Sequence, residues 1–214
     1  MQLNHYIDHT NLKAFATPYD ITKLCAEAKE HKFFAICVNG CYVKTAKKEL
    51  QNSAVKIAAV IGFPLGAMDT QSKVFEAKHC VANGADEIDM VINIGQLKDG
   101  NLKYVKNEIS EIKNIIGAKI LKVIIETCYL TEEEKISACR CALDANADYV
   151  KTSTGFGSGG ATFEDVKLMK SIVGEQLEVK ASGGIKDAET AKKYIELGAS
   201  RLGTSSGISI TAKL

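Results

Sequence analysis

The 214-residue sequence has no excess of charge and no long apolar run. Its 27 lysine and arginine residues are balanced by 26 aspartate and glutamate residues, so the formal net charge is +1. A general nucleic-acid-binding protein is expected to carry a basic excess clustered on one face. A helix that spans a bilayer needs about 20 consecutive apolar residues. The composition therefore argues against nucleic acid and against a membrane as partners.

The seven cysteines and four histidines also lack the spacing of a redox or zinc motif. The cysteines are odd in number and form no C-x-x-C pair, and the histidines are scattered. The N-terminal residues do not combine a basic region with an apolar stretch, so secretion is not indicated. We therefore expect free thiols, a cytoplasmic location and no bound metal.

What the sequence does contain is a regular alternation of short apolar or β-branched runs with helical patterns. Helix starts are indicated by Thr17 before Pro18, by Thr131 three residues before Glu134, and by Asp187. The runs predicted to be strands are residues 6–10, 33–39, 56–63, 87–94, 121–127, 149–154, 178–182 and 201–205. Strands that alternate with helices favour a parallel sheet with helical crossovers.

Eight such units suit a closed (β/α)8 barrel, with an open doubly wound sheet as the alternative. No G-x-G-x-x-G follows the first predicted strand, which weakens the dinucleotide-binding form of that alternative. We see no linker, shift of composition or low-complexity tract within the chain. Residues 1–214 are therefore predicted to form a single α/β domain, a (β/α)8 TIM barrel.

Charged residues occur inside four of the predicted strands. Asp89 lies in the fourth strand, Lys122 and Glu126 in the fifth, Lys151 in the sixth and Lys180 in the seventh. In barrels of this kind, reactive groups sit at the C-terminal ends of the strands, and side chains alternate between inside and outside. Any one of these lysines is more simply explained as a strand-end residue that reaches water. The combination favours a functional site.

The two lysines on neighbouring strands, Lys151 and Lys180, predict a specific chemistry. Two inward ammonium groups repel each other, and the loss of one proton relieves the repulsion. A neutral amine attacks carbonyl groups, so the pair indicates a Schiff base formed by Lys151 with a small carbonyl substrate. Asp89, inward on the fourth strand, is then placed to move protons. The alternative is that these three residues have only a structural role.

Three glycine-rich segments follow the late strands: TGFG at 154–157, SGGI at 182–185 and GTSSG at 203–207. Many barrels bind phosphate after strands seven and eight, using loop N–H groups and a short helix N-terminus. Glycine lets the backbone approach the oxygens closely, and Ser205 and Ser206 add hydroxyl donors. A single segment of this type would indicate only a tight turn, but the three together predict a phosphate pocket.

Taken together, several motifs resemble the deoxyribose-phosphate aldolase family. They are VKTSTG at 150–155, VKASGGI at 179–185, LKVIIET at 121–127, EIDMV at 87–91, IDHT at 7–10, AICVN at 35–39 and IGFPLG at 61–66. The resemblance implies a class I aldolase that reversibly cleaves 2-deoxy-D-ribose 5-phosphate to D-glyceraldehyde 3-phosphate and acetaldehyde in deoxyribonucleotide catabolism. It implies no cofactor beyond the covalent Schiff base, and a homodimer or higher homo-oligomer.

The resemblance also implies roles for individual residues. Lys151 matches the Schiff-base lysine, Lys180 the second lysine that favours its neutral form, and Asp89 the acid of the proton relay. The residues that match substrate-binding positions are Asp8, Thr10, Thr152, Gly155, Gly183, Gly184, Gly203, Ser205 and Ser206.

Two of the departures from the family pattern bear on the proposed chemistry. Phe156 stands where some members carry a lysine beside the phosphate, and Lys186 is the candidate replacement. The last residues, 210–214, lack the longer tail ending in tyrosine that some members use for proton transfer.

Two other functions remain open from the sequence. One is a metal-independent sugar-phosphate isomerase that uses Asp89 and Glu126 as acid and base, and the other is a non-catalytic sugar-phosphate binder. Neither needs a neutral amine, so the paired strand lysines argue against both.

Overall fold

The structure is a computed structural model that describes residues 2–212. Within them, eight parallel strands close into a barrel in chain order, which confirms the predicted architecture. The strands are β1 (Ile7–Asn11), β2 (Ala35–Asn39), β3 (Lys56–Ile61), β4 (Glu87–Val91), β5 (Ile120–Ile124), β6 (Tyr149–Lys151), β7 (Glu178–Ser182) and β8 (Ala199–Thr204).

Helices follow the strands on the outside of the barrel. The α-helices are α1 (Pro18–Glu30), α2 (Val43–Glu49), α3 (Thr70–Ala82), α4 (Ile94–Lys98), α5 (Leu102–Ile116), α6 (Glu132–Asp144), α7 (Phe163–Val173), α8 (Ala188–Glu196) and α9 (Gly207–Thr211). Short 3-10 turns occupy Leu3–Tyr6, Gly40–Tyr42 and Thr127–Tyr129. Across residues 2–212, no helix combines the length and the apolar character that a membrane crossing requires.

The predicted helix starts are confirmed, and each has a clear physical cause. Thr17 and Asp20 form a capping box at α1, in which the Thr17 N–H donates to the Asp20 carboxylate at 2.7 Å. Thr131 and Glu134 form the same arrangement at α6. Asp187 accepts the Thr190 N–H at 2.8 Å at the start of α8. These contacts satisfy N–H groups that have no partner inside the helix.

Three predicted strands end three residues earlier than expected, whereas the others agree within two residues at each end. β4 stops at Val91, shortly before α4, and β5 stops at Ile124. Glu126 then adopts a left-handed conformation with φ of 53°, which breaks the regular extension that the apolar run 121–127 indicated. β6 stops at Lys151, although the Thr127 N–H still donates to the carbonyl oxygen of Thr152 at 2.9 Å.

The barrel separates an apolar shell from an interior of mixed character. Outward strand residues such as Ile88, Met90 and Val123 are fully buried against the helices. Inside the barrel, the β2–β3 side is lined by small apolar residues, Cys37, Ala58 and Val60, which cluster with Leu12. The interior faces of the other strands carry charges. This division places the reactive groups on one side of the barrel axis.

A buried ion pair between Lys73 and Glu108 joins α3 to α5 outside the barrel. Lys73 Nζ lies 2.8 Å from Glu108 Oε2 and donates to the Val91 carbonyl oxygen at 2.9 Å. Both side chains are fully buried. Burial lowers the pKa of Lys73 and raises the pKa of Glu108, and in each case the partner's charge opposes the shift. The two charges are therefore stable only as a pair.

We predict that Glu108→Ala lowers the free energy of unfolding by about 3–5 kcal/mol, because it leaves a buried ammonium without a counter-charge. The double variant Lys73→Met/Glu108→Leu is expected to recover most of this loss. As a control, Lys98→Ala removes an exposed pair with Glu134 and is expected to change stability by less than about 1 kcal/mol. Urea unfolding at pH 7 measures all three. A double variant as unstable as Glu108→Ala would contradict the prediction.

Candidate active site

A network of buried charges fills one side of the barrel interior. Its members are Asp8, Glu87, Asp89, Lys122, Lys151, Lys180 and Arg201, each at most 3 % exposed. Three carboxylates face four cations, so the fully ionised network carries one positive charge. Each carboxylate contacts at least two of the cations, so ion pairing offsets the burial of the charges.

The Asp89 carboxylate lies at the centre of this network. Its Oδ2 is 2.8 Å from both Lys151 Nζ and Lys180 Nζ, and its Oδ1 is 2.8 Å from Lys122 Nζ. Because the first two nitrogens share one oxygen, they are no farther apart than twice that distance. Strand register explains the convergence: Lys151 pairs with Lys180 across β6 and β7, and Asp89 with Lys122 across β4 and β5.

The remaining members of the network are Asp8, Glu87 and Arg201, which form further ion pairs with the lysines and with each other. Lys180 Nζ is 2.5 Å from Asp8 Oδ2, and Arg201 bridges Asp8 at 2.7 Å and Glu87 at 3.1 Å. Lys122 lies 2.5 Å from Glu87. The expectation of simple repulsion between two lysines was incomplete, since a carboxylate lies between them and offsets part of it.

The shared contacts set the ionisation of the network. Burial alone raises the pKa of Asp89, but Lys122, Lys151 and Lys180 outweigh it and hold the pKa well below 3.8. Burial likewise raises the pKa of Asp8, but the neighbouring Lys180 and Arg201 charges lower it to about 2. Burial lowers the pKa of Lys180, whereas Asp8 and Asp89 together raise it above its usual 10.5. At neutral pH these carboxyls are ionised and Lys180 is an ammonium.

A pocket of about 440 Å³ opens at the C-terminal ends of the strands. Lys151 is the member of the network that lines it. Of the predicted substrate-binding residues, the pocket brings together Thr10, Gly155, Gly183, Gly184, Gly203, Ser205 and Ser206. The side chains of Lys13, Lys23 and Lys186 lie at its margin. A pocket of this volume suits a small molecule.

Two of the predicted substrate-binding residues lie outside the pocket lining. Asp8 is fully buried within the charge network. Thr152 is also fully buried, and its Oγ1 accepts the Ser182 N–H at 3.1 Å and donates to the Ser182 carbonyl at 3.2 Å. Asp89 and Lys180 are also absent from the pocket lining, and Asp89 contacts the amine of Lys151.

The turn after β6 is organised around the hydroxyl of Thr154. Its Oγ1 accepts the Phe156 N–H at 3.0 Å, a short turn that threonine stabilises through its side chain. The intervening Gly155 N–H has no acceptor among residues 2–212, and Gly155 lines the pocket. A free backbone N–H in a pocket wall is a potential anion contact.

The turn after β8 repeats this geometry. Thr204 Oγ1 accepts the Ser206 N–H at 2.9 Å, and the N–H of Ser205 between them has no acceptor within the described part of the chain. Between the two turns in sequence, Gly183 and Gly184 have φ angles of 86° and 83°. Only glycine adopts this conformation readily. The three glycine-rich segments therefore meet at one side of the pocket.

Comparison with known proteins agrees with this geometry. Residues 3–213 match the family model described as DeoC/LacD family aldolase. The chain belongs to this family. Deoxyribose-phosphate aldolase from Bdellovibrio bacteriovorus is 61 % identical over 210 residues, covering 98 % of this chain and 96 % of the relative. The enzyme of the same name from Thermococcus kodakarensis is 59 % identical over 214 residues, covering 98 % and 95 %.

Solved structures of aldolases show the same fold. The aldolase QR15 superposes with a TM-score of 0.95 at 43 % identity, covering 99 % of this chain and 95 % of its own. The tetrameric deoxyribose phosphate aldolase from Aeropyrum pernix has a TM-score of 0.92 at 30 % identity, covering 98 % and 89 %. The resemblance to the deoxyribose-phosphate aldolase family that the sequence motifs indicated is thereby confirmed.

Sequence reasoning missed two members of the charge network, Glu87 and Arg201. A signal was present, because side chains two positions apart share one face of a strand. Glu87 precedes Asp89 by two residues, and Arg201 precedes Gly203 in the same way. The expectation that Glu126 lies with Lys122 in the fifth strand was wrong, since Glu126 lies beyond β5 in the left-handed conformation.

The structure shows where Phe156, which departs from the family pattern, and the candidate replacement Lys186 lie relative to the pocket. Phe156 lines the pocket, is 52 % exposed and packs edge-to-face on Phe63 at 5.3 Å between ring centroids. Lys186 lines the same pocket. Residues 213 and 214 of the tail lie outside the described residues. Within residues 2–212, no group of three or more His, Cys, Asp or Glu side chains is arranged to hold a metal ion.

The depressed pKa of Asp8 predicts a specific acid sensitivity. Its pKa falls from 3.8 to about 2 on folding, so its stabilising contribution is present above pH 3.8 and disappears as the pH falls toward 2. Between pH 5 and pH 2 the wild type should lose about 2 kcal/mol more stability than Asp8→Asn. Denaturant unfolding across this range measures the difference. If the free energy of unfolding fell equally with pH in the wild type and in Asp8→Asn, the pKa assigned to Asp8 would be wrong.

Proposed function

We propose that the protein is a class I aldolase that reversibly cleaves 2-deoxy-D-ribose 5-phosphate to D-glyceraldehyde 3-phosphate and acetaldehyde. The observation that carries the proposal is the position of Lys151. Its amine lines the pocket, and it shares the Asp89 carboxylate with Lys180, which remains an ammonium. The family and the names of the relatives supply the substrate.

The proposed reaction proceeds through Lys151 as a neutral amine. Lys180 and Lys122 already supply two ammonium groups to the Asp89 carboxylate. The carboxylate therefore keeps charged partners when Lys151 acts as the nucleophile. The neutral amine then adds to the aldehyde carbon, C1, of the open-chain sugar phosphate. Loss of water from this adduct gives a protonated imine.

The protonated imine accepts the electrons of the C2–C3 bond as that bond breaks. The C3 hydroxyl loses its proton, in our proposal to Asp89 or to a water that Asp89 holds, and C3 leaves as the aldehyde carbon of D-glyceraldehyde 3-phosphate. The enamine that remains is protonated at C2. Hydrolysis then releases acetaldehyde and restores the amine of Lys151.

The phosphate is proposed to bind at the three glycine-rich segments. Gly155, Gly183, Gly184 and Ser205 line the pocket together with Lys186. The N–H groups of Gly155 and Ser205 have no acceptor within residues 2–212. Contacts to a phosphate remote from the bond that breaks hold the reacting carbon against the amine. Lys186 supplies a positive charge in a pocket where Phe156 supplies none.

The alternative functions lose their structural basis. The isomerase alternative is not supported by the family, and its two carboxylates are not assembled as an acid–base pair. Glu126 is 1 % exposed, accepts hydrogen bonds from Thr154 and does not line the pocket. A non-catalytic binder has no use for a pocket lysine that shares a buried carboxylate with a second lysine.

We further propose that the enzyme needs no metal or other cofactor, acts in the cytoplasm and forms a homo-oligomer. The Schiff-base route supplies its own electron sink. The described structure contains seven free cysteines, as expected in a reducing compartment. The tetrameric Aeropyrum pernix relative supports an assembly of identical chains.

Trapping with borohydride tests the covalent step. Incubation with acetaldehyde and borohydride should add an ethyl group to the peptide that contains Lys151, because reduction fixes the imine as a secondary amine. Mass spectrometry of the digested protein locates the modification. Lys186→Ala serves as the control, since that lysine also lines the pocket but should not change the site of modification. Active protein without an ethyl group on Lys151 would rule out the assignment.

Removal of the Lys180 charge tests the second lysine. In Lys180→Leu, Asp89 loses one ammonium partner, and the repulsion between Lys180 and the neighbouring Lys151 is removed. The kcat profile should therefore move to higher pH, with a fall in rate of about 100-fold or more at neutral pH. Lys180→Arg keeps the charge and should retain the wild-type pH profile. A leucine variant with an unshifted profile would remove Lys180 from this role.

A further inference from the structure

The turn after β6 is held from behind by Glu126, a residue that does not line the pocket. Glu126 is 1 % exposed. Its Oε1 accepts the Thr154 N–H at 3.1 Å, and its Oε2 accepts the Thr154 hydroxyl. Hydrogen bonds to an ionised acceptor are about twice as strong as neutral ones. A single pocket residue, Thr154, therefore donates two strong hydrogen bonds to one buried carboxylate.

The backbone of Glu126 has an uncommon conformation for a residue with a side chain. Its φ and ψ angles are 53° and 67°, in the left-handed region that glycine favours. Hydrogen bonds on either side fix it: the Ile125 N–H donates to the Lys151 carbonyl at 3.0 Å, and the Thr127 N–H donates to the Thr152 carbonyl at 2.9 Å. The structure therefore holds this carboxylate in place beside the end of β6.

The charge environment of Glu126 differs from that of the network below it. Every carboxylate of the network contacts a lysine or arginine, whereas Glu126 forms no ion pair with any residue in 2–212. Buried carboxylates without a counter-charge are costly and are kept only when hydrogen bonds satisfy them. Within residues 2–212, the Glu126 carboxylate accepts its hydrogen bonds from Thr154, apart from a long contact from Cys128 Sγ at 3.9 Å.

The carboxylate determines the direction of the hydrogen bonds in the turn. A hydroxyl has one proton to donate, and Thr154 gives it to Glu126, which leaves its oxygen free to accept the Phe156 N–H at 3.0 Å. The Gly155 N–H between them then remains free at the pocket wall. Because the Glu126 carboxylate can only accept, the Thr154 hydroxyl donates to it and accepts from Phe156.

The turn after β8 provides an internal comparison. There the Thr204 hydroxyl donates to the Ile185 carbonyl oxygen at 2.7 Å and accepts the Ser206 N–H at 2.9 Å. A backbone carbonyl thus does in one turn what the Glu126 side chain does in the other. Both arrangements leave one free N–H at the pocket, on Ser205 and on Gly155.

We propose that Glu126 is a positioning residue that fixes the Thr154 turn so that the Gly155 N–H contacts the phosphate of the substrate. Glu126 thereby contributes to the preference for phosphorylated over unphosphorylated substrates. The inference rests on the proposed function, and it adds a residue that acts through Thr154 without touching the substrate.

Two variants of Glu126 test the proposal. Glu126→Gln has nearly the same shape, but its amide cannot accept both bonds from Thr154, and Glu126→Gly removes the side chain while suiting the positive φ. The KM for 2-deoxyribose 5-phosphate should rise about tenfold in the glutamine variant and further in the glycine variant. The kcat should stay within about twofold of wild type. A fall in kcat with unchanged KM would overturn the proposal.

A substrate without phosphate separates positioning of the turn from damage to the lysine site. The rate of borohydride trapping of acetaldehyde on Lys151 should be the same in wild type and in both variants. Glu108→Gln is the matched control, since Glu108 is equally buried, at 1 % exposure, but lies outside the pocket. Its KM should be that of wild type. Equal effects of the Glu108 and Glu126 substitutions on KM would refute the proposal.

A double-mutant cycle tests whether Glu126 acts through Thr154. If it does, the KM of Glu126→Gln/Thr154→Val should equal that of the more affected single variant, because both substitutions break one contact. Effects that multiply would show that Glu126 acts by another route and would overturn the proposal.

Inorganic phosphate gives a readout that does not depend on turnover. Phosphate should raise the Tm of wild type and of Glu108→Gln, and this increase should be smaller in Glu126→Gln. A wild type that does not cleave 2-deoxyribose 5-phosphate would refute the proposed function, while the phosphate effect still tests the positioning. Equal stabilisation of all three proteins would overturn the inference about Glu126.

Discussion

The Asp89 carboxylate, shared by three lysines, is the contact on which the site depends. Without it, the ammonium groups of Lys122 and Lys180 would be buried beside Lys151 with too little negative charge to stabilise them. With it, two lysines keep their charge and the third contacts both a carboxylate and the pocket. The position of Lys151 at the pocket is therefore set by the arrangement of the whole network.

The barrel provides this arrangement through strand register. Parallel strands at neighbouring positions bring Lys151 beside Lys180 and Asp89 beside Lys122, and alternation points all four inward. The apolar side chains of β2 and β3 fill the opposite side of the interior. The charged groups are thereby buried, and Lys151 is the member of the network that reaches the pocket.

The sequence predicted the barrel well because its signals are local and repeated. Eight apolar runs, helix caps such as Thr17 and Thr131, and glycine-rich strand ends each follow from short-range chemistry. The lysine pair and Asp89 were also visible, since charges within strands are rare. What the sequence did not reveal is which carboxylate pairs with which cation, because Asp8 and Arg201 are separated by most of the chain.

The turn of Glu126 was missed for a similar reason. The run 121–127 has the composition of a strand, and nothing in it indicates a left-handed residue at 126. That conformation is held by hydrogen bonds to Lys151 and Thr152 on the next strand. Tertiary contacts overrode the local preference here, as they commonly do for β-strand propensity.

The buried ion pairs inside the barrel also restrict how this protein can change through evolution. A single substitution of Asp8, Glu87 or Arg201 removes one partner of a buried ion pair, although none of these residues lines the pocket. Acceptable changes at these positions must therefore occur in compensating sets, since contacting residues are energetically coupled. We expect related sequences to replace these interior charges only together.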